Sequence, residues 1–537
     1  MMQRWMQQVG KGWAVTTNRT LVWLLLGGLL VRSFIAFLLP PGFDEAYYYL
    51  YTQNLDWSYF DHPLMVAFTT GFGVWLTGEV SQFTIRLGPL LLYVGSLIFL
   101  YLASVRLFSE RAGVLTVAIA SLIPIFIVGF GVLTLPDSPL IFFWSATIYV
   151  AAEEFFRTAA YKPSYRLAII GLLVGLACLS KYHGLAIGFG LVGFCLSSPR
   201  HRLALRSPWM LLSLALFLLT LAPIVMWNTQ HDWVSLRYQS GRAIPDRGYS
   251  LLELLGTFLI GVAYLFPPFG FPLWWVSLKS TDSLPHPSIA PSAHPKFLLL
   301  WLALPLMLGF TLMGGYRPIL PTWAMPGFWS ATVLLGARAA MWQARSPKGV
   351  RRWLWGSGLV IGGLLLVALL HLSFGTLQKP SRFAWFGGFV PASADASVQL
   401  VDIQQIRQGF QTSPELKAAL ARADFVFTNE IFLSGQVGMA IAPLNPPPIT
   451  TFNDDLRGFA FWSTAEAWVG KNGLYVTSKR LPNESVYRDY FQRIEAIAEI
   501  PLQRGGVTVE TIQVYQAEKL LKPFPRPDDV NRSTRLR

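Results

Sequence analysis

Long apolar runs alternate with short polar connections from the start of the chain to about residue 374. A helix that crosses a bilayer needs about 20 mainly apolar residues. About eleven stretches meet that need on a sliding hydropathy reading. They fall near 21–39, 88–105, 113–131, 139–156, 167–181, 184–197, 209–226, 251–275, 297–313, 325–342 and 354–374. The predicted fold is an α-helical polytopic membrane protein. Beyond residue 375 the pattern changes. Segments 424–428 (DFVFT), 473–477 (GLYVT) and 507–515 (VTVETIQVY) predict strands, while 415–422 and 487–497 carry helical spacing. The run Asn445-Pro446-Pro447-Pro448 marks a turn. Residues 1–374 thus form a transmembrane domain and 375–537 a C-terminal α/β domain. A Ser/Pro/His-rich linker occupies 280–295, and the last dozen residues read as disordered.

Composition agrees with this pattern. Hydrophobic residues make up 53% of the chain and charged residues 13%, against roughly a quarter charged in soluble domains. The net charge of +14 would suggest nucleic acid in a soluble protein, but no nucleic-acid motif accompanies it. Lys and Arg gather instead in alternate loops: Arg106/Arg111, Arg157/Lys162/Arg166, Arg200/Arg202/Arg206, Lys279/Lys296 and 338–352, plus the N-terminus. The opposite loops hold Asp44, Glu45, Asp56, Asp61, Glu79, Asp137, Asp232 and Asp246. Basic loops face the cytoplasm, so an odd number of spans places 375–537 outside a plasma (inner) membrane. The first apolar run follows Arg4, Lys11 and Arg19 without a small-residue cleavage site, and reads as a retained helix. Cys178 and Cys195, both in apolar stretches, predict neither a structural disulfide nor a zinc–thiolate site.

Candidate chemistry lies on the outer face. The loop from about 40 to 87 is long for a plain connection and aromatic, which predicts short interfacial helices. Asp44 and Glu45 follow Pro-Pro-Gly, and Asp61-His62-Pro63 adds a second acid and an imidazole. Carboxylates among Tyr and Trp suit a sugar site, since acids accept hydroxyl protons and rings pack on sugar C–H edges. The competing reading is helix capping. Asp137, in the next outer loop, is open to the same two readings. Together Asp44, Asp61 and Asp137 suffice to hold a divalent cation or to polarise an acceptor hydroxyl. Lys181, beside Tyr182 in an apolar run, either snorkels to the surface or meets an anion. Arg237, Arg242 and Arg247, and then Tyr316, Arg317 and Trp323, put positive charge and aromatics outside, against the positive-inside trend. An anionic lipid headgroup explains them, and so does pairing with Asp232 and Asp246. Arg32, inside the first span, is a further buried cation whose partner the residues leave open.

At these positions the chain resembles the GT-C membrane glycosyltransferases, in the bacterial branch grouped with protein O-mannosyltransferases and the aminoarabinose transferase of lipid A. The carrying motifs are GFDEAYYYL (42–50), YFDHPLMVAF (59–68), TLPDSPLIFFW (134–144), GLACLSKYHGLA (175–186) and RPILPTWAMPGF (317–328), over roughly 20–380. The resemblance implies a catalytic acidic pair in the first outer loop, with Asp44 as base or metal-site organiser, and Asp61-His62-Pro63 and Asp137 at the next acidic positions. It implies a phosphate contact for Lys181. Trp323 falls where the resemblance places a Tyr near the donor phosphate. It further implies a polyprenyl-phosphate sugar donor, direct displacement with inversion, and a lipid, glycan or protein acceptor.

The candidate site is therefore catalytic residues Asp44, Glu45, Asp61, His62 and Asp137, with Lys181, Tyr182, Arg237, Arg242, Tyr316, Arg317 and Trp323 on the donor phosphate. A divalent metal on Asp44, Asp61 and Asp137 is the accompanying cofactor expectation. The rival class is a transporter or flippase of lipid-linked glycans. Transporters favour internal repeats and midplane charges; here no repeat is visible and ionisable residues cluster at loop edges.

Overall fold

A computed structural model describes residues 19–526 except Ala159, Ala243, Asp246, 280–294 and 482–483. Arg4, Lys11, Asp246, nearly all of the 280–295 linker and the last residues from 527 onward therefore lie outside the described residues. Helices form where the apolar runs predict them: Arg19–Leu38, Leu87–Leu107, Asp137–Phe156, Arg166–Ser180, Leu185–Ser197, Pro208–Gln230, Pro295–Met313, Met325–Arg345 and Pro347–Phe374. Two predicted spans differ. The 113–131 stretch divides into Glu110–Ala120 and a π-helical turn, Phe126–Phe130. The 251–275 stretch is Leu251–Tyr264 and Pro267–Leu278, bent by 115°. Pro267 and Pro268 remove backbone donors, and Phe266 before them takes φ 67°, so the helical ladder cannot run through. Five described helices are long and apolar enough to cross a membrane, and up to six if the bent pair is one span.

The bundle is knit by buried aromatics with satisfied polar tips. Trp144 donates to Ser330 at 2.7 Å while Trp329 donates to Ser145 at 2.8 Å, a reciprocal clasp between the Asp137–Phe156 and Met325–Arg345 helices. Tyr93 donates to the Ala120 carbonyl at 2.9 Å. The outer surface stays apolar: Leu30 is 72% and Leu219 70% exposed, a cost in water that vanishes in lipid. The chain is a multi-pass membrane protein by this evidence.

The polar region folds around a five-stranded sheet. Its order is Ile449–Thr451, Phe425–Thr428, Gly473–Ser478, Val507–Leu520 and Phe491–Arg504. The first three strands run parallel and the last two join antiparallel. The expected helix at 487–497 is a strand from Phe491. Its apolar residues at 491, 494, 497 and 500 mimic helical spacing, but β-bulges at Ala496/Ala498 and Leu502/Gln503 break the two-residue alternation. The deciding signal is Gly505-Gly506, with φ of 63° and 74°, which closes the hairpin tightly. The helix expected at 415–422 appears as Pro414–Arg422.

This region does not hang from a linker. Its helix Ile431–Ile441 lies directly on the helix Phe43–Gln53 of the 40–87 connection. A Cβ on Gly435 would stand 2.6 Å from the Tyr47 backbone nitrogen, so only glycine permits this approach. Arg407 donates to the Val80 carbonyl at 2.9 Å. Residues 46–85 and 401–514 share one hydrophobic core.

Candidate functional site

The connection over 40–87 forms two short helices, Phe43–Gln53 and Met65–Thr77. Pro40-Pro41-Gly42 stops the preceding span and starts the first of them. The two acids at its N-terminus then part company. Glu45 turns inward and is 1% exposed. Arg86 grips it at 2.8 and 2.6 Å, Gly42 N–H donates to it at 2.8 Å, and Thr134 N–H at 2.9 Å. Glu45 therefore ties the 40–87 connection, the entrance of the Leu87–Leu107 helix and the loop at Thr134 to one point.

Asp44 points the other way and keeps its side chain accessible. It sits in a crevice walled densely by protein, and that desolvation pushes its carboxyl up to about 6. Arg457 and Lys181 oppose the rise, whereas Asp61 and Glu45 add to it. Asp61 is 3% exposed. Tyr51 donates a short hydrogen bond to it, and Arg457 stands 3.8 Å from its other oxygen. Burial raises its pKa too, with Arg457 and Tyr51 opposing. His62 packs edge-on to Tyr48 at 5.6 Å. Burial and the charges of Lys181, Arg242 and Arg457 keep its ring neutral, and its Nδ1 has no hydrogen-bond partner.

Lys181 does not snorkel. Its ammonium reaches both oxygens of Asp137 at 2.8 Å, with both residues buried. The metal expectation fares accordingly. Both Asp137 oxygens are taken by a cation, Asp61 is held by Tyr51 and faces Arg457, and no three of His, Cys, Asp and Glu among the described residues converge to hold an ion. These residues do not fit a metal centre on Asp44, Asp61 and Asp137 as they stand.

The cations of the later loops separate by surroundings. The Arg242 guanidinium lies over the Trp323 ring at 4.6 Å and the Tyr238 ring at 5.5 Å. Among the described residues no ion pair joins it to a carboxylate, and its charge acts on both His62 and His183. His183 stacks on Phe310 at 5.2 Å with its Nε2 unpartnered. Tyr182 shares a 2.5 Å hydrogen bond with Ser235. Arg237 is exposed on the helix Val234–Gly241. Arg247 pairs with Glu253 at 3.4 Å rather than with Asp232. Arg317 donates to the Gly241 and Ile244 carbonyls at 3.2 and 2.9 Å, so it tethers the Arg242 segment. Tyr316 packs against Tyr249 at 4.7 Å on the rim. Arg32 remains inside the bundle, over Tyr93 at 4.6 Å.

Asp44, Asp61, His62, Lys181 and Arg242 thus share one electrostatic neighbourhood, whereas Tyr316 and Arg317 stand beside it as supports. Sequence reasoning missed Arg86, Tyr51 and Arg457. Arg86 was detectable as a lone arginine at the mouth of a predicted span. Tyr51 lay in a Tyr-rich motif that did not single it out, and nothing local in Asn453-Asp454-Asp455-Leu456-Arg457 links that arginine to Asp61.

Residues 61–227 match the family described as dolichyl-phosphate-mannose-protein mannosyltransferase. The chain is 27% identical over 317 residues to the lipid A galacturonosyltransferase RgtD of Rhizobium johnstonii, covering 57% of this chain and 62% of that protein. It is 26% identical over 300 residues to the undecaprenyl phosphate-alpha-4-amino-4-deoxy-L-arabinose arabinosyl transferase of Erwinia tasmaniensis, covering 52% and 50%. The matched stretch thus spans only half to three-fifths of these curated relatives. Among solved structures, ArnT from Cupriavidus metallidurans bound to undecaprenyl phosphate superposes with a TM-score of 0.59 at 15% identity, over 93% of this chain and 98% of that one. Its apo form gives 0.56, over 94% and 98%. The resemblance carried by the motifs is upheld, and the fold is that of ArnT, a bundle of apolar helices with a C-terminal sheet region.

Proposed function

We propose that this chain, which carries a GT-C family domain, transfers a sugar from a polyprenyl-phosphate donor to a lipid acceptor at the extracytoplasmic face of the inner membrane. The observation that carries the reading is an accessible carboxylate, Asp44, in the same electrostatic neighbourhood as Arg242, an arginine that among the described residues has no carboxylate partner. Two curated relatives act on lipid A or use an undecaprenyl-phosphate sugar by name, and a neighbour of the same fold binds undecaprenyl phosphate.

Asp44 takes the proton from the acceptor hydroxyl as its oxygen attacks the anomeric carbon. The bond from that carbon to the phosphate oxygen breaks, and the polyprenyl phosphate leaves with the bonding electrons. Arg242, braced by Trp323 and Tyr238, stabilises the charge that grows on the departing phosphate. Arg237 attracts the headgroup from the rim. Lys181 and Asp137 form a neutral buried pair that supports the crevice floor. Direct attack from the face opposite the phosphate inverts the anomeric centre. Eleven spans with 375–537 outside is the topology that goes with this reading, because it puts the crevice on the side where acids outnumber basic residues.

The test is incubation of purified protein with a panel of labelled polyprenyl-phosphate sugars and total membrane lipid. Label moving into a lipid fraction supports the reading, and no transfer from any donor removes it. A phosphatase reporter fused after Arg537 is expected to be active and one fused near Lys348 inactive; the reverse pattern overturns the topology.

A further inference from the structure

The acid pair does not belong to the membrane loops alone. Arg457 comes from the C-terminal region, yet its guanidinium stands 3.8 Å from Asp61, opposes the rise in the Asp61 and Asp44 carboxyls, and is four-fifths buried. Its backbone takes φ 40°, an uncommon conformation for a residue with a side chain. The turn is pinned on the site: Gly458 N–H donates to the Tyr47 hydroxyl at 2.8 Å, and a Cβ on Gly458 would meet that same hydroxyl at 2.9 Å. The guanidinium lies over Phe432 at 5.3 Å, and Asp455 stands 3.3 Å behind it. It is the Nε that faces Asp455 Oδ2 at 3.3 Å, and among the described residues neither that nitrogen nor Asp455 Oδ1 makes a well-aligned hydrogen bond, so Arg457 is shared between two carboxylates and saturated by neither.

We infer that Arg457 is a positioning residue of the transfer site, through which the C-terminal region holds Asp61 ionised and keeps Asp44 available as a base. The inference rests on the proposed transferase reading for its kinetic arm only. The groups facing the two acids bound its effect. Tyr51, Tyr47 and Tyr48 flank them from the Phe43–Gln53 helix, Glu45 acts from its first turn, Lys181 from the end of Arg166–Ser180, Tyr238 from the helix Val234–Gly241 and Asp455 from the Arg457 turn. Arg457 heads the opposing influences on both acids. An opposite charge at this range shifts a carboxylate by about one to three pH units.

The experiment compares full-length wild type, Arg457→Gln, Arg457→Lys and Asp455→Asn. Infrared titration follows the carboxyl band that disappears in Asp61→Asn, and so needs no transfer activity. Arg457→Gln is expected to raise the midpoint by about one unit or more and Arg457→Lys to hold it near wild type. Asp455→Asn, which frees Arg457 for Asp61, is expected to lower it, and this arm remains decisive if Arg457→Gln does not fold. In transfer assays Arg457→Gln is expected to lose about two- to tenfold in turnover at pH 7 and recover at pH 9, with donor KM little changed. A midpoint unmoved in folded Arg457→Gln or in Asp455→Asn, or turnover lost equally at every pH, would overturn the inference. Failure of wild type to transfer from any donor would instead strike the transferase reading, leaving the infrared result to decide Arg457.

Discussion

Asp44 and Glu45 are adjacent in sequence and opposite in circumstance. Around Glu45 every oxygen meets donors: two from Arg86, one from Gly42 and one from Thr134. Around Asp44 and Asp61 the acids are crowded and desolvated, Tyr51 and Arg457 meet Asp61, and Arg457 and Lys181 act on Asp44 only through their charge. The first region is built to stay as it is. The second keeps free energy in unsatisfied charge, which in the proposed transfer a substrate hydroxyl and a departing phosphate take up. The same contrast separates the cations: both oxygens of Asp137 engage Lys181, and among the described residues Arg242 rests on ring faces without a carboxylate.

Breaking the saturated side has the largest expected consequence. Glu45→Gln leaves Arg86 buried without its counter-charge, which costs about 3–5 kcal/mol. Thermal unfolding in detergent is expected to show that loss together with poor yield. If Glu45→Gln instead folded as wild type and lost only turnover, the division between the two acids would be wrong. Lys181→Ala is expected to be destabilising for the same reason, and the double change Lys181→Ala/Asp137→Ala to recover much of the loss, because no unpaired charge remains. A double variant as unstable as the sum of the singles would argue against a pair.

On the open side, Arg242→Lys is expected to leave unfolding unchanged and to reduce turnover by about tenfold or more. A point charge cannot replace planar stacking on Trp323 with bidentate contact to phosphate. Wild-type turnover in this variant would move the donor phosphate elsewhere. The smallest effect is in pH. Asp44 acts as a base only when ionised, and its carboxyl is raised to about 6. Turnover is therefore expected to rise as pH increases through about 6 and to level off above it. A profile flat down to pH 4.5 would mean that a carboxyl of ordinary pKa does the work.

Much of the bundle was legible because an 18- to 20-residue apolar run leaves a chain few alternatives to a helix in lipid. Its breaks were not. Phe266-Pro267-Pro268 sits within an otherwise uniform apolar stretch, and hydropathy does not register a backbone donor that is missing. In the C-terminal region the three-residue spacing of Phe491, Ile494, Ile497 and Ile500 imitated a helix, and the glycine pair that ends the strand carried the better information. The acids of the site were visible as exceptions to their surroundings. Which of them were satisfied was not, since Arg86, Thr134 and Arg457 reach them only through the tertiary fold. Lys181 and Asp137 were both singled out, but as separate actors. Nothing short of their juxtaposition shows that they neutralise each other.

The measurement that bears most directly on this account is single-turnover transfer by Asp44→Asn, from the donor that wild type accepts, with donor binding and unfolding temperature recorded on the same sample. A general base contributes about 10²- to 10⁴-fold, so the rate is expected to fall by that factor while binding and stability stay at wild-type values. A rate equal to wild type in a folded, donor-binding Asp44→Asn would contradict the assignment of the open carboxylate as the base and the account built on it.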